Sequence, residues 1–157
     1  MLTSFSLFAQ SDTKTCILLS KINKLIQSEH FQPKPIDDSL SVFVFDNFID
    51  GLDPSRNILL KSEYEALSFK FRLNLDDLIL ANDCSFLPEI VAVYKNGLSR
   101  NKAILEKMKT DTIGYKVKDT IRFYKKIFPF YLEQNQLETA WRKNIKYKIL
   151  DDIASQN

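Results

Sequence analysis

Apolar residues recur with a helical period along most of the chain. In segment 13–30, Leu18, Ile22, Leu25 and Ile26 fall on one stripe, with Lys14, Lys21 and Lys24 elsewhere, which predicts an amphipathic helix. Phe31-Gln32-Pro33-Lys34-Pro35 ends it, because proline lacks the backbone donor and restricts the residue before it. A second helix is expected to open at Asp38 or Ser39, both good N-caps. Its run Val42-Phe43-Val44-Phe45 has the composition of a strand. However, Phe45, Phe48, Ile49 and Leu52 keep the i, i+3, i+4, i+7 spacing, so helix is the reading. Gly51 and then Asp53-Pro54 supply its stop.

Ser62-Glu63-Tyr64-Glu65 reads as a capping box opening a third helix to about Leu80, with Leu67, Phe71, Leu75 and Leu78 inward. A turn over Ala81-Asn82-Asp83-Cys84 follows, and Ser85 is placed to cap a fourth helix with Pro88 in its first turn. The inward stripe there is expected to be Leu87, Ile90, Val91, Tyr94, Leu98, Leu105 and Met108. Gly97 weakens this helix by about 1 kcal/mol relative to alanine. Between Lys109 and Leu132 the period fails. Ile113, Tyr115 and Val117 alternate, as do Ile121 and Phe123, which predicts irregular structure with one or two short extended pieces. Asn135 with Glu138 resembles a cap and N3 pair. A last helix then carries Leu137, Trp141, Ile145, Ile149 and Ile153. The expected fold is mainly α: a bundle of about five helices with a partly extended, irregular segment near 109–132.

Composition narrows the function classes. The chain has 157 residues, 45% of them hydrophobic and 12% aromatic, enough for one core and too apolar for a disordered segment. Its formal net charge of +2 argues against a chain specialised for nucleic acid. Three glycines leave no phosphate-cradling loop. One histidine and two distant cysteines do not make a zinc framework, and no alternating acidic loop fits calcium, so neither metal nor cofactor is expected. Charge is uneven: residues 1–80 hold eight cations against eleven anions, and residues 81–157 hold fourteen against nine. The basic part includes Arg100, Lys102, Lys107, Lys109, Lys125, Lys126, Arg142, Lys143, Lys146 and Lys148, most simply a solvated helix face.

The opening Met1-Leu2-Thr3-Ser4-Phe5-Ser6-Leu7-Phe8-Ala9 followed by Gln10 reads as the end of a secretory apolar region with its cleavage site. Residues 1–10 are therefore taken as the remnant of a signal peptide, 11–157 as a single helical domain, and the destination as the bacterial periplasm. Cys16 and Cys84 could pair in an oxidising compartment. They are read instead as two small buried apolar residues, because neither lies in a C-x-x-C motif and the chain is long enough to fold without a staple.

The stretch Phe45-Asp46-Asn47-Phe48-Ile49-Asp50-Gly51-Leu52-Asp53-Pro54 resembles the N-terminal helical domain of the carboxyl-terminal processing peptidases, also called tail-specific proteases. That family shows a helix ending in a pattern like F-D-x-[FY]-[IL]-x-x-L-D-P, then a short hydrophobic segment, then an acidic residue opening the next helix. Ser62-Glu63 fills that last place. Gln136-Leu137-Glu138-Thr139-Ala140-Trp141, followed by Arg142, Lys143 and Tyr147, is similar to the family's helix leading toward the protease part. The resemblance makes Phe45, Asp46, Phe48, Leu52, Asp53, Pro54 and Trp141 motif residues with structural roles. Read from the residues alone, Phe45, Phe48 and Leu52 are core, Asp53-Pro54 is a turn, and Trp141 is a core anchor whose N–H seeks a partner.

Family members continue into a PDZ domain and a Ser/Lys catalytic core, and no serine and lysine of this sequence can be carried over to those roles. The resemblance therefore implies a non-catalytic domain. Its expected work is packing on the protease body, contact with another subunit or a helical-repeat adaptor, and control of substrate access. Self-association through uncovered apolar surface is a further expectation. The alternative is a stand-alone periplasmic helical binding or adaptor module with its own apolar cavity. No nucleic acid and no membrane span are expected. Basic and aromatic residues interleave in Tyr115-Lys116, Lys118 and Arg122-Phe123-Tyr124-Lys125-Lys126, but aromatic-rich loops usually pack. His30 is read as a surface residue at a helix end. Asp37-Asp38, Asp76-Asp77 and Asp151-Asp152 are adjacent pairs; Asp76 and Asp77 diverge by about 100° on a helix and do not readily make a paired-carboxylate site, and Asp37-Asp38 reads as helix-start charge.

Overall fold

A computed structural model describes the backbone of residues 6–116, 118–121 and 129–156, and the side-chain surroundings from Lys14 onward. Residues 1–5 of the expected signal remnant lie outside the described residues. So do Val117 and Phe123 of the expected extended pieces, and the run Arg122-Phe123-Tyr124-Lys125-Lys126. Six helices and no strand occur among the described residues: α1 (Ser6–Glu29), α2 (Asp38–Leu52), α3 (Lys61–Phe71), α4 (Leu75–Leu80), α5 (Phe86–Met108) and α6 (Gln134–Ser155). The fold is mainly α, as the periodicity predicted. The irregular stretch after α5 carries one isolated parallel bridge, Tyr131 to Leu60, in which the Lys61 N–H donates to the Tyr131 carbonyl at 2.8 Å.

Helix count and helix starts differ from expectation for local reasons. The predicted third helix is two, α3 and α4. Asn74 interrupts it: its side-chain amide bonds the Lys70 carbonyl at 2.9 Å, and its own N–H turns back to Phe71. Helix α2 is capped by Asp37, whose carboxylate accepts the Leu40 N–H at 3.0 Å, one residue earlier than the sequence reading placed it. Helix α3 starts with Glu63, not Glu65, reaching back, because Glu63 Oε2 accepts the Leu60 N–H at 2.8 Å. Glu65 instead faces Lys61 at 3.5 Å. Helix α6 begins before Asn135: Gln136 Oε1 accepts the N–H groups of Leu132 and Glu133 at 3.0 and 3.3 Å.

The chain divides into two compact units, residues 1–50 with 66–92, and residues 51–65 with 93–157. In the first unit Phe45, Ile49, Leu67, Phe71, Leu75, Phe86 and Ile90 are buried, and the Phe71 and Phe86 rings meet edge-on at 6.4 Å. Ser41, also buried, accepts the Leu75 N–H at 2.8 Å and so supplies a partner at the start of α4. In the second unit Ile104, Met108 and Leu137 form a buried cluster, with Leu60, Tyr131, Trp141 and Ile145 packed against it.

The inward face of α5 agrees with the predicted one at Ile90 and Met108 and departs from it elsewhere. Val91 and Leu98 are exposed, whereas Phe86, Ile90, Gly97, Asn101, Ile104 and Met108 point inward. Apolarity favoured Val91 and Leu98, but the buried face contains a glycine and an asparagine that such a pattern cannot weigh. On α6 only Leu137 of the predicted stripe is fully buried, and Ile153 is exposed.

Cys16 and Cys84 form a disulfide, which overturns their reading as buried apolar thiols. Their Cα atoms stand 5.6 Å apart, and both residues are only partly buried. A separation of 68 residues hides such a pairing from any local motif. The bond ties α1 to the turn before α5, where Ser20 Oγ also donates to Asn82 Oδ1 at 2.6 Å. Asn82 takes a left-handed backbone (φ 55°), which asparagine tolerates better than most residues. Closing a loop of this length is worth about 4 kcal/mol in the chain-entropy account, and removing a native disulfide generally costs about 2–5 kcal/mol. The paired Cys16→Ser/Cys84→Ser variant is expected to lose stability in that range by urea denaturation. A midpoint unchanged by the double substitution would show that the bond contributes nothing to the folded state.

Candidate functional site: a clamped loop and an apolar groove

The predicted motif residues separate into two groups. Phe45 lies in the core of the first unit. Asp46 holds Arg72 through paired bonds of 2.8 Å each, and Phe48 remains 38% exposed. Leu52 is partly buried at the end of α2, and Pro54 is exposed in the turn that follows. Asp53 and Trp141, 88 positions apart in the sequence, meet at one residue, Asn57.

That meeting point is an irregular segment whose backbone is satisfied group by group. Asp53 is fully buried, and its carboxylate accepts the N–H groups of Asn57, Ile58 and Leu59 at 2.8, 3.0 and 2.9 Å. The carbonyls receive side-chain donors. Asn101 Nδ2 and Trp141 Nε1 both donate to Asn57 O, at 2.8 and 3.2 Å, and Arg100 Nη2 donates to Ile58 O at 2.7 Å. Arg100 also grips Glu63 with two bonds of 2.8 Å, and Glu63 holds the Leu60 N–H. Each buried backbone group left unpaired would cost about 1–3 kcal/mol. The set of donors and acceptors therefore fixes the segment in place.

Gly97 completes the clamp. A methyl group at that position would stand 2.8 Å from both the Ile58 carbonyl oxygen and Ile58 Cγ2, so α5 reaches the segment only where it has no side chain. Arg56 enters the turn with φ 52°, and its guanidinium lies 4.4 Å from the centre of the Phe130 ring, which stacks on Tyr64. Sequence reasoning found Asp53 and Trp141 but missed Gly97, Arg100 and Asn101. In the sequence Arg100 reads as part of a solvated basic face, yet its side chain is only 13% exposed. Within that basic set Lys146 is also buried and bonds Asp119 at 3.1 Å. That bond outweighs partial desolvation and, with the charges of Lys146 and Lys143, holds the Asp119 carboxyl below its ordinary range.

The first unit contains an apolar groove of about 530 Å3. Leu19, Ile22 and Ile26 of α1 face Val44 and Phe48 of α2, with Leu75, Ile79 and Ile90 among the residues of its walls and floor. One end is rimmed by polar groups of the segment after α1. There His30, Gln32 and Lys34 line the rim, and Gln27 Nε2 donates to the Lys34 carbonyl at 3.2 Å. His30 is exposed, as predicted, and its Nδ1 accepts the Gln32 N–H at 3.2 Å. Of the acidic pairs, Asp37 caps α2, and Asp76 is buried beside an exposed Asp77. Among the described residues, no group of three or more His, Cys, Asp or Glu is placed to hold a metal, and no helix is long and apolar enough to cross a membrane.

The Glu63–Arg100 pair generates a pH dependence. Burial alone raises the Glu63 carboxyl. The hydrogen bonds from Arg100 and the Leu60 N–H, with the Arg100 charge, outweigh it and hold the group below its ordinary 4.5. A carboxyl depressed in the folded state stabilises fully above its unfolded value and loses that contribution as pH falls through the folded one. Glu63→Gln is therefore expected to cost about 1–3 kcal/mol at neutral pH. The gap between variant and parent should close progressively below about pH 4.5. Denaturation midpoints measured from pH 7 to pH 3 test this, and a gap that widens on acidification contradicts it.

Two comparisons with known proteins bear on what the clamp belongs to. None of the curated proteins compared with the chain matches it. The family described as tail specific protease N-terminal domain matches residues 22–157, which covers α2 to α6, the last third of α1 and every residue of the clamp. With a match over most of its length, the chain belongs to the tail specific protease N-terminal domain family.

Proposed function

We propose that this chain acts as a non-catalytic helical module of an exported tail-specific protease. Its role is to pack on the protease body or an adjoining subunit, to offer a contact for a helical adaptor, and to shape substrate access. The observation that carries the reading is aromatic surface left in water. Phe31, Phe43 and Phe69 are 101%, 64% and 92% exposed, and Leu25, Leu73 and Leu80 are each more than half exposed. A domain complete in itself seldom leaves so many large apolar side chains uncovered. Membership of the family supports a protease body as the cover. The Cys16–Cys84 bond supports export, because structural disulfides persist in oxidising compartments such as the periplasm.

A second reading, a stand-alone periplasmic binding module, is favoured by one observation, the groove of about 530 Å3. That size falls among small-molecule sites, which span roughly 300–1,000 Å3. Sedimentation and dye binding separate the two. On the packing reading the isolated chain self-associates with rising concentration and enhances the fluorescence of an apolar-surface dye. The Phe31→Ser/Phe69→Ser variant should lose both properties with unchanged circular dichroism. A monomeric, dye-silent parent chain would contradict this reading.

A further inference from the structure

We infer that the groove of the first unit is a binding site for a single-chain carboxylate amphiphile, with the alkyl chain in the groove and the head at the His30–Lys34 rim. The inference goes beyond the packing role and stands independently of it.

Three features of the groove define the ligand. Its walls are apolar stripes at helical spacing, Leu19, Ile22 and Ile26 on α1 against Leu40, Val44 and Phe48 on α2. Of these, Ile22 and Ile26 remain 44% and 47% exposed, and Val44 and Phe48 37% and 38%. Such half-covered walls gain most from an apolar occupant. The α1 lining runs from Leu19 to Gln27, a rise of roughly 12 Å, which suits an extended alkyl chain of about ten carbons ahead of its head group.

Charge sets the head group. Lys34 is the one lysine or arginine among the lining residues, and no aspartate or glutamate lines the groove. Among the described residues no carboxylate pairs with the Lys34 ammonium. The accepted bond at Nδ1 leaves His30 Nε2 to carry the ring proton, so that edge is a donor. The Gln27 bond to the Lys34 carbonyl returns the segment onto α1 and places these donors at one end. Both residues are exposed, so a bound head group would keep water on its outer side.

The wall helix is tied down without a ligand: the disulfide and the Ser20–Asn82 bond fasten α1 to the turn before α5, and the Gln27–Lys34 bond holds the following segment against its end. A site fixed in this way loses little further freedom on binding.

Calorimetric titration of the full chain with dodecanoate, below its micellar concentration, tests the inference. Saturable one-to-one binding is expected, with dodecyltrimethylammonium at least about tenfold weaker. Lys34→Glu, on an exposed loop and therefore safe for folding, should weaken dodecanoate at least about tenfold. Val44→Trp, which fills the groove, should abolish it with helicity retained. Absent or non-saturable binding, indifference to the sign of the head, or full affinity in Lys34→Glu would each overturn the proposal. So would stronger competition by an apolar hexapeptide with a free carboxyl end, which would make the groove a peptide site. None of these results would alter the sedimentation behaviour that tests the packing role.

Discussion

An irregular stretch of backbone can run through a protein interior only if every polar group it carries finds a partner. Along residues 57–60 most of these partners are side chains, joined at Leu60 by the bridge to Tyr131 and by the Tyr64 N–H on its carbonyl. One carboxylate, Asp53, takes three successive N–H groups, and a second, Glu63, takes the next. Arg100, Asn101 and Trp141 return donors to the carbonyls. The clamp couples the ends of the second unit's sequence: the turn after α2, the middle of α5 and the first turns of α6 all close on Asn57 and Ile58. Asp53 and Trp141, distant in sequence, serve opposite sides of the same residue, Asn57.

The first unit is organised differently. Its core is built from stepped apolar residues on α2 to α5, and α1 is fastened by a disulfide and side-chain bonds at points along its length. Large apolar residues on α1 remain exposed as a result, some around the groove and others, such as Leu18 and Leu25, away from it. The exposed α1 residues around the groove form one of its walls, while Phe31, Phe43 and Phe69, none of them on α1, carry the proposed docking role.

Much of this was legible in the sequence. Repeats of three and four located the helices, and Pro33, Pro35 and Asp53-Pro54 located their breaks, because those signals act within a turn or two of the backbone. What failed to show depends on the tertiary setting. Asn74 splits one predicted helix through a side-chain bond that competes with the ladder. Gly97 and Asn101 occupy the inner face of α5 for reasons of approach and hydrogen bonding, so a search for apolar positions chose Val91 and Leu98 instead. Arg100 and Lys146 looked like solvated cations and are mostly buried partners of carboxylates. The pairing of Cys16 with Cys84 spans 68 positions and leaves no local trace.

Native-state hydrogen exchange of the Asn57, Ile58 and Leu59 amides tests the central claim most directly. These residues lie in no helix, so local structure alone gives them no protection. If the Asp53 clamp is part of the core, all three should exchange only through opening as costly as that of the inner face of α5. Exchange at the rate of an exposed loop, while α5 stays protected, would contradict the account.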